Sequence, residues 1–457
     1  EAWANRQAPL GMTPAQFTSG NAESKLYLGF PLKNDLDLLQ IDVKSASFLQ
    51  DLTIQNIVRS ATATSEKALL KVDRESMTLS GLAKLSDAST RITWQEFFGA
   101  SPKIRSDVRA SGTITPALLR DLKLPLDSSL QGSATGTLHL IQETNKDMSI
   151  TLNADLKNAA LKLPDWNVSK AIGTAGTLSL DATFDTNGVV TLSNASLSWP
   201  DVSVSSAMAR WNAAGSLESA TLKEIKIGRT QGTLVVAPVN EKRISVVLSG
   251  PVIDLSGYWS QPPKQEAART TPRYDVALRA SRLFLDPNIP FSGVTAKLSK
   301  LGDDLISLDF QGKVEDARLS AIQKQNADGS RTLDIVGSET GEILQALDIT
   351  DTVRGGALRL TGKSSPQTPQ RIEGTVQLDK FTVVKAPVLA QLINALSPVG
   401  LLELLNNNGL NFDTLKSKII FYNFSLILLR EGRMAGTSLG LGFSCRVHSD
   451  TDTLNLK

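Results

Sequence analysis

Apolar and polar residues alternate along most of this chain. In Ile150-Thr-Leu-Asn-Ala-Asp-Leu156, Thr177-Leu-Ser-Leu-Asp-Ala-Thr-Phe184, Tyr274-Asp-Val-Ala-Leu-Arg-Ala280 and Ile306-Ser-Leu-Asp-Phe310, every second position is apolar. A strand turns successive side chains to opposite faces, so this period of two predicts strands with one greasy face and one wet face. Asp185-Thr-Asn-Gly188 and Ala327-Asp-Gly-Ser330 carry the Asn-Gly and Asp-Gly steps that supply positive φ, which predicts hairpin tips. Antiparallel pairing follows, because few helices are on offer to build parallel crossovers.

Helical patterning is confined to a few places, and two of them match. Gly112-Thr-Ile-Thr-Pro-Ala-Leu-Leu-Arg-Asp-Leu-Lys-Leu124 aligns without gaps on Gly337-Ser-Glu-Thr-Gly-Glu-Ile-Leu-Gln-Ala-Leu-Asp-Ile349. In each, a threonine (Thr115, Thr340) stands where it would cap a two-turn helix, with Leu118, Leu119 and Leu122 or Ile343, Leu344 and Leu347 as its apolar side. Each is followed by a Gly-x-Leu-x-Leu strand, Gly136 to Leu140 and Gly356 to Leu360, so the chain contains an internal repeat. The polar, Pro-bearing run Gln261 to Pro272 reads as a linker. The expected organisation is therefore a β segment over 1–260, a loop over 261–272 and a second β segment over 273–457.

A third helical stretch is the most apolar part of the chain. Ala386 to Leu405 carries one charge, but Ser397-Pro398-Val399-Gly400 interrupts it, and Gln391, Asn394 and Glu403 are spread along it. That pattern does not suit a membrane-spanning helix. Two short helices hinged at Pro398 fit it, with Leu392, Leu396, Leu401, Leu404 and Leu405 as a cap that needs an apolar partner.

Composition narrows the function by exclusion. The 457 residues hold 41% hydrophobic positions, enough for a large buried area, and 48 basic against 46 acidic residues leave a net charge of +2. No basic patch interleaved with aromatics points to nucleic acid. The single Cys445 excludes an internal disulfide and a cysteine-based zinc site, and the two histidines, His139 and His448, are not spaced as metal ligands. His139 falls on the polar side of an alternating run. Gly436-Thr-Ser-Leu-Gly440 matches a nucleophile elbow in letters but lacks a later acid-then-histidine order, and Thr361-Gly-Lys-Ser364 lacks the earlier glycine of a phosphate loop. Asp303-Asp304 reads as a solvated turn. The expectation is a chain with no catalytic residues, no metal and no cofactor.

Strands with one greasy face must hide it, and an ordinary sandwich does so within about 100 to 250 residues. Here the alternation simply continues. Aromatic residues are only 5%, so the hidden surface is aliphatic and suits acyl chains more than a polar ligand. Two architectures fit: an elongated, curled antiparallel sheet making an apolar groove, in which roughly 25 strands at about 4.8 Å each would reach on the order of 100 Å, or two or three closed sandwiches with dry cores.

Thr340 to Ile349, Gly355-Gly-Ala-Leu-Arg-Leu-Thr-Gly362 and Ile372 to Ile393, followed by Leu401 to Leu405 and Gly409-Leu-Asn-Phe-Asp413, resemble the AsmA-like family, in particular the C-terminal region of its YhdP-type members. The resemblance is good from about Tyr274 onward and looser before it, and the unusually apolar Ile419 to Leu429 departs from the pattern. It implies a fragment of an inner-membrane-anchored, periplasmic β-groove protein of Gram-negative bacteria, with the anchor outside this chain, that carries phospholipid between inner and outer membranes without enzymatic chemistry. The residues expected to line the groove are Val276, Leu278, Leu283, Leu285, Val294, Leu298, Ile306, Leu308, Phe310, Leu333, Ile335, Leu358, Leu360, Val376 and Leu378. The other reading is a structural envelope scaffold supporting outer-membrane assembly, in which the same side chains form dry cores.

Overall fold

A computed structural model describes residues 16–33, 41–58, 61–98, 103–121, 130–144, 147–163, 168–240, 242–259, 272–302, 304–384, 409–422, 426–436, 440–448 and 453–456. Almost all of these are strand. The chain divides into two compact units, Glu1–Gly228 and Arg229–Lys457.

The first unit contains β1 (Gln16–Gly29), β2 (Asp42–Val58), β3 (Ala61–Val72), β4 (Ser76–Leu85), β5 (Ala88–Phe97), β6 (Ile104–Ile114), β7 (Leu130–Gly132), β8 (Ala134–Glu143), β9 (Met148–Asp155), β10 (Ala159–Leu163), β11 (Val168–Lys170), β12 (Thr177–Phe184), β13 (Val190–Trp199), β14 (Val202–Trp211) and β15 (Leu217–Ile227). Its main sheet runs β1 to β6 in order, then β8, β9 and β12 to β15, every pair antiparallel. β7, β10 and β11 form a separate small sheet. The helix Pro116–Asp121 and that small sheet pack over one end of the main sheet, where Leu119, Leu130, Ala134, Ala154, Leu156 and Ala159 are buried together.

The second unit contains β16 (Thr230–Asn240), β17 (Arg243–Asp254), β18 (Arg273–Phe284), β19 (Pro290–Leu301), β20 (Asp304–Val314), β21 (Ala317–Gln325), β22 (Arg331–Gly337), β23 (Val353–Ser365), β24 (Thr368–Val383), β25 (Leu410–Tyr422), β26 (Leu426–Ala435), β27 (Gly440–His448) and β28 (Thr453–Leu456). These pair in chain order. One step departs from the antiparallel expectation: β17 and β18 are parallel, with Val246 opposite Val276 and Leu248 opposite Leu278. The helix Ser256–Trp259 and the run to Pro272 connect them, and parallel neighbours need such a crossover. The division into units thus falls ahead of the linker-like segment, which lies between two hydrogen-bonded strands. Among the described residues no pairing joins the first strand of either sheet to its last, so neither sheet is a barrel.

Local chemistry explains the turns. At Asp185 the carboxylate accepts from the Asn187 and Val189 amides, each at 2.9 Å, and Gly188 has φ 82°, which closes the β12–β13 hairpin. Asp328 and Gly329, with φ 86°, do the same between β21 and β22. The internal repeat is also visible: the helix Pro116–Asp121 stands between β6 and β8, and the helix Thr340–Ala346 between β22 and β23, each pair of flanking strands being hydrogen-bonded neighbours. Their caps differ. Thr115 Oγ1 accepts from the Leu118 amide at 3.2 Å, as expected of an N-cap. Thr340 does not cap. The N-cap is Glu339 in a left-handed conformation, and Thr340 is buried, donating to the Gly356 carbonyl at 2.8 Å, which ties the helix to β23.

Candidate functional site

Cross-strand register turns the alternation into rows. In the second unit one row runs Val236, Val246, Val276, Leu298, Leu308, Gln323, Leu333, Gly362, Gly374, Ile419, Leu429 and Cys445, one residue from each of β16 to β27. A parallel row runs Leu234, Leu248, Leu278, Ala296, Phe310, Ala321, Ile335, Leu360, Val376 and Ser417. The opposite face carries Ser249, Arg279, Thr295, Gln311, Ser320, Val336, Arg359, Gln377, Lys416 and Arg433. A slip of one residue in any strand would invert its faces, so the contrast between rows fixes the register.

All the residues expected to line a groove lie on this one face. Val276, Leu298, Leu308 and Leu333 are in the first row, and Leu278, Phe310, Ile335, Leu360 and Val376 in the second. Leu358 and Leu378 face each other in a third. Ile306 shares the side of Leu308, and Val294 faces Ala280. Leu283 and Leu285 reach the same side because pairing skips a residue between Ala280 and Arg282, which reverses the phase of β18. The helical-cap leucines, Leu392, Leu396, Leu401, Leu404 and Leu405, lie outside the described residues.

The face is not uniform along the strands. At one end the helix Thr340–Ala346 packs against β20, β21 and β23, and Ile253, Leu283, Phe291, Val314, Ala317 and Ile343 make a dry cluster there. Elsewhere in the rows Val276, Leu298, Leu308 and Val376 are half-buried, whereas Leu333, Leu360 and Ile419 are buried in a second cluster with Ile372 and Phe421. The first unit repeats the design. Its rows include Leu70, Leu79, Trp94, Val108, Leu140, Ile150, Ala182, Leu192 and Ala209 on β3 to β14, and beside them Ile92, Ala110, Leu138, Leu152 and Leu180. These side chains are half-buried too.

Depressions of ≈ 380 and ≈ 630 Å³ in the second unit are bordered by polar-face side chains such as Lys297, Asp309, Lys324 and Asp334. In the first unit, depressions of ≈ 530 and ≈ 960 Å³ share Arg91, Ser111, Thr137 and Asn153.

The candidate chemical groups resolve individually. His139 lies on the polar face, 3.1 Å from the Asp107 carboxylate, which also binds Arg109. Thr361 to Ser364 are extended within β23 and form no loop. Residues 437–439 of the elbow-like motif lie outside the described residues. Cys445 is buried on the apolar face, and burial pushes its thiol pKa up. Among the described residues, no group of three or more His, Cys, Asp or Glu is placed to hold a metal, and no helix is long and apolar enough to cross a membrane.

Sequence reasoning missed the polar groups on the apolar side. Asp304 is not a solvated turn residue: it accepts two bonds at 2.6 Å from Arg331, which reaches it across β21. Gln323 sits in the first apolar row. In the first unit, Glu96 and Ser106 are buried beside Trp94. The signal was phase. Arg331 is in step with Leu333 and Ile335, and Gln323 with Leu319 and Ala321, so both had to point inward.

Comparison with protein-family models, with curated proteins and with solved structures returns no match.

Proposed function

We propose that this chain is a non-enzymatic conduit for lipids, whose acyl chains lie along the apolar rows. The observation that carries the reading is the row geometry: apolar side chains follow one another strand after strand, half-buried through the first unit's rows and from Val236 to Leu308 in the second, with no closure into a barrel among the described residues. Each buried CH₂ of an acyl chain gains about 0.8 kcal/mol, so a continuous aliphatic surface holds a chain without fixing it at one place. No oriented polar site is required for sliding.

The resemblance to the AsmA-like family supplies the finer statement, that the cargo is phospholipid and the route runs across the periplasm between inner and outer membranes. The register across the parallel β17–β18 step supports it, because both rows pass through that step unbroken. The scaffold reading draws on the dry cluster beneath the helix Thr340–Ala346, and it requires the whole face to be packed in that way. Purification followed by lipid mass spectrometry distinguishes them. The conduit yields co-bound phospholipid, whereas protein recovered free of lipid and refusing added lipid removes the reading.

A further inference from the structure

Each unit interrupts its apolar face with buried polar groups, and the two interruptions fall at equivalent places. Gly112 in β6 and Gly337 in β22 lie next to their unit's helix. Six residues back along each strand stand Ser106 and Arg331, at the margin away from the helix. Val108 faces Trp94 on the preceding strand, and Leu333 faces Gln323, so Trp94 and Gln323 correspond as well. In the first unit the polar groups satisfy one another: Trp94 Nε1 donates to Glu96 Oε2 at 3.2 Å and to Ser106 Oγ at 3.1 Å.

At the equivalent place in the second unit two atoms are left over. Arg331 spends both terminal nitrogens on Asp304 and donates also to the Leu305 carbonyl at 3.0 Å, while Gln323 Nε2 donates to the Leu305 and Ile306 carbonyls at 2.5 and 3.4 Å. Gln323 Oε1 and Arg331 Nε have no partner among the described residues, although the two residues are only 1% and 4% exposed. Turning the carboxamide over would set its oxygen against the Leu305 carbonyl, so the leftover pair is one acceptor and one donor. Buried polar atoms of this kind call for an occupant. Asp304 already neutralises the Arg331 guanidinium, which favours an uncharged oxygen function over an anion.

We propose that this margin of the second unit's apolar face is a head-group station, at which Arg331 Nε donates to an ester oxygen of an acylglycerol and Gln323 Oε1 accepts from its hydroxyl. The acyl chain then lies on the half-buried side chains of the same row, Leu308, Leu298 and Val276. The proposal rests on the conduit reading and adds an orientation and a chemical class of ligand to it.

Two probes with the same chain length separate the two ideas: 1-monooleoylglycerol and headless 1-octadecene, each displacing an environment-sensitive acyl dye from the full chain. The variants are Gln323→Leu, which completes the apolar row, and Gln323→Met, which keeps the side-chain length if leucine disturbs the fold. Wild type should bind the glyceride more tightly, and the variants should lose roughly threefold to tenfold of glyceride affinity, the worth of one hydrogen bond, with octadecene unchanged. Unchanged affinity for both probes would mean that the leftover atoms serve water alone, and an equal fall for both would mean that Gln323 only shapes the surface. Either result overturns the station. Wild type that binds neither probe overturns the conduit itself.

Discussion

The two units use one register logic to opposite degrees. In the first, the central rows are built from Leu, Ile, Val and Ala around the single ring of Trp94 and stay half-exposed, and the side chains that do become fully buried there include many alanines. In the second, aromatic rings fill the same kind of face: Phe291 meets Phe310 edge-on at 5.6 Å, and Phe381 stacks on Phe412 at 5.4 Å. Among the described residues, three of the four buried apolar clusters belong to this unit. Alternation therefore chooses which face is apolar, whereas side-chain volume and cover decide how far that face closes. A face that is filled where these clusters lie and half-exposed between Val236 and Leu308 can be stable and still present a surface to a ligand.

The largest expected effect tests the closed end. Ile343 is buried against β20, β21 and β23, so Ile343→Ala should cost about 3 to 4 kcal/mol. Leu118, less completely enclosed beneath the shorter helix of the first unit, should cost about 2 kcal/mol on the same change. Hydrogen exchange locates the damage: β20 to β23 should lose protection with Ile343→Ala while β5 to β8 keep theirs. Equal loss in both units would mean that they do not fold with separate cores.

Next come the cross-strand glycines, where the units should agree. A Cβ at Gly374 would lie 1.9 Å from the Thr361 carbonyl oxygen, and one at Gly112 would lie 2.2 Å from that of Ser89. Both strands must approach their neighbours too closely for any side chain. Alanine at either position should cost about 1 to 3 kcal/mol through displaced backbone, read from chemical denaturation. A neutral Gly112→Ala beside a damaging Gly374→Ala would show that the first sheet gives way where the second cannot.

The alternation made the fold class and the choice of face legible, because period and register are local properties of each strand. The apolar assignment of Leu308 or Leu360 needed nothing beyond its neighbours at two-residue spacing. The parallel β17–β18 step was not legible, since the direction of a strand after a crossover depends on packing far from the linker. Thr340 failed as a cap for a related reason: a tertiary acceptor, the Gly356 carbonyl, took the hydroxyl that local pattern would have kept in the helix. Arg331 and Asp304 lie on strands two apart, so only assembled sheet geometry brings them together.

Smaller in stability but larger in function are charges placed on the open rows. Leu308 and Leu140 are half-exposed, so an arginine at either position can lead its guanidinium to water at a cost of about 1 kcal/mol while standing in the path of an acyl chain. Under the conduit reading, Leu308→Arg and Leu140→Arg should each remove most co-purifying lipid with little change in melting temperature. Lipid lost with only one of them would assign the lipid surface to that unit alone.

The smallest effect separates the two ways in which the units bury a charge. The second unit gives Arg331 a two-bond carboxylate partner, while in the first the Arg105 Nε stands 3.7 Å from Glu96 Oε1, too far for a hydrogen bond. Burial is the leading influence on Glu96 and raises its pKa above the usual value, against the opposing pull of Trp94, Ser106 and Arg105. A raised folded-state pKa means that the folded protein holds this proton more tightly than the unfolded chain does. The stabilisation is complete below the unfolded value near 4.5 and is lost as pH rises through the higher folded value. At neutral pH the carboxylate is thus a burden, and Glu96→Gln removes it while its carbonyl oxygen keeps the acceptor for Trp94 Nε1. The substitution should raise the melting temperature by a few degrees at pH 7 and leave it unchanged near pH 4. A lower melting temperature at pH 7 would mean that attraction to Arg105 outweighs burial, and that the first unit pairs its charge as effectively as the second.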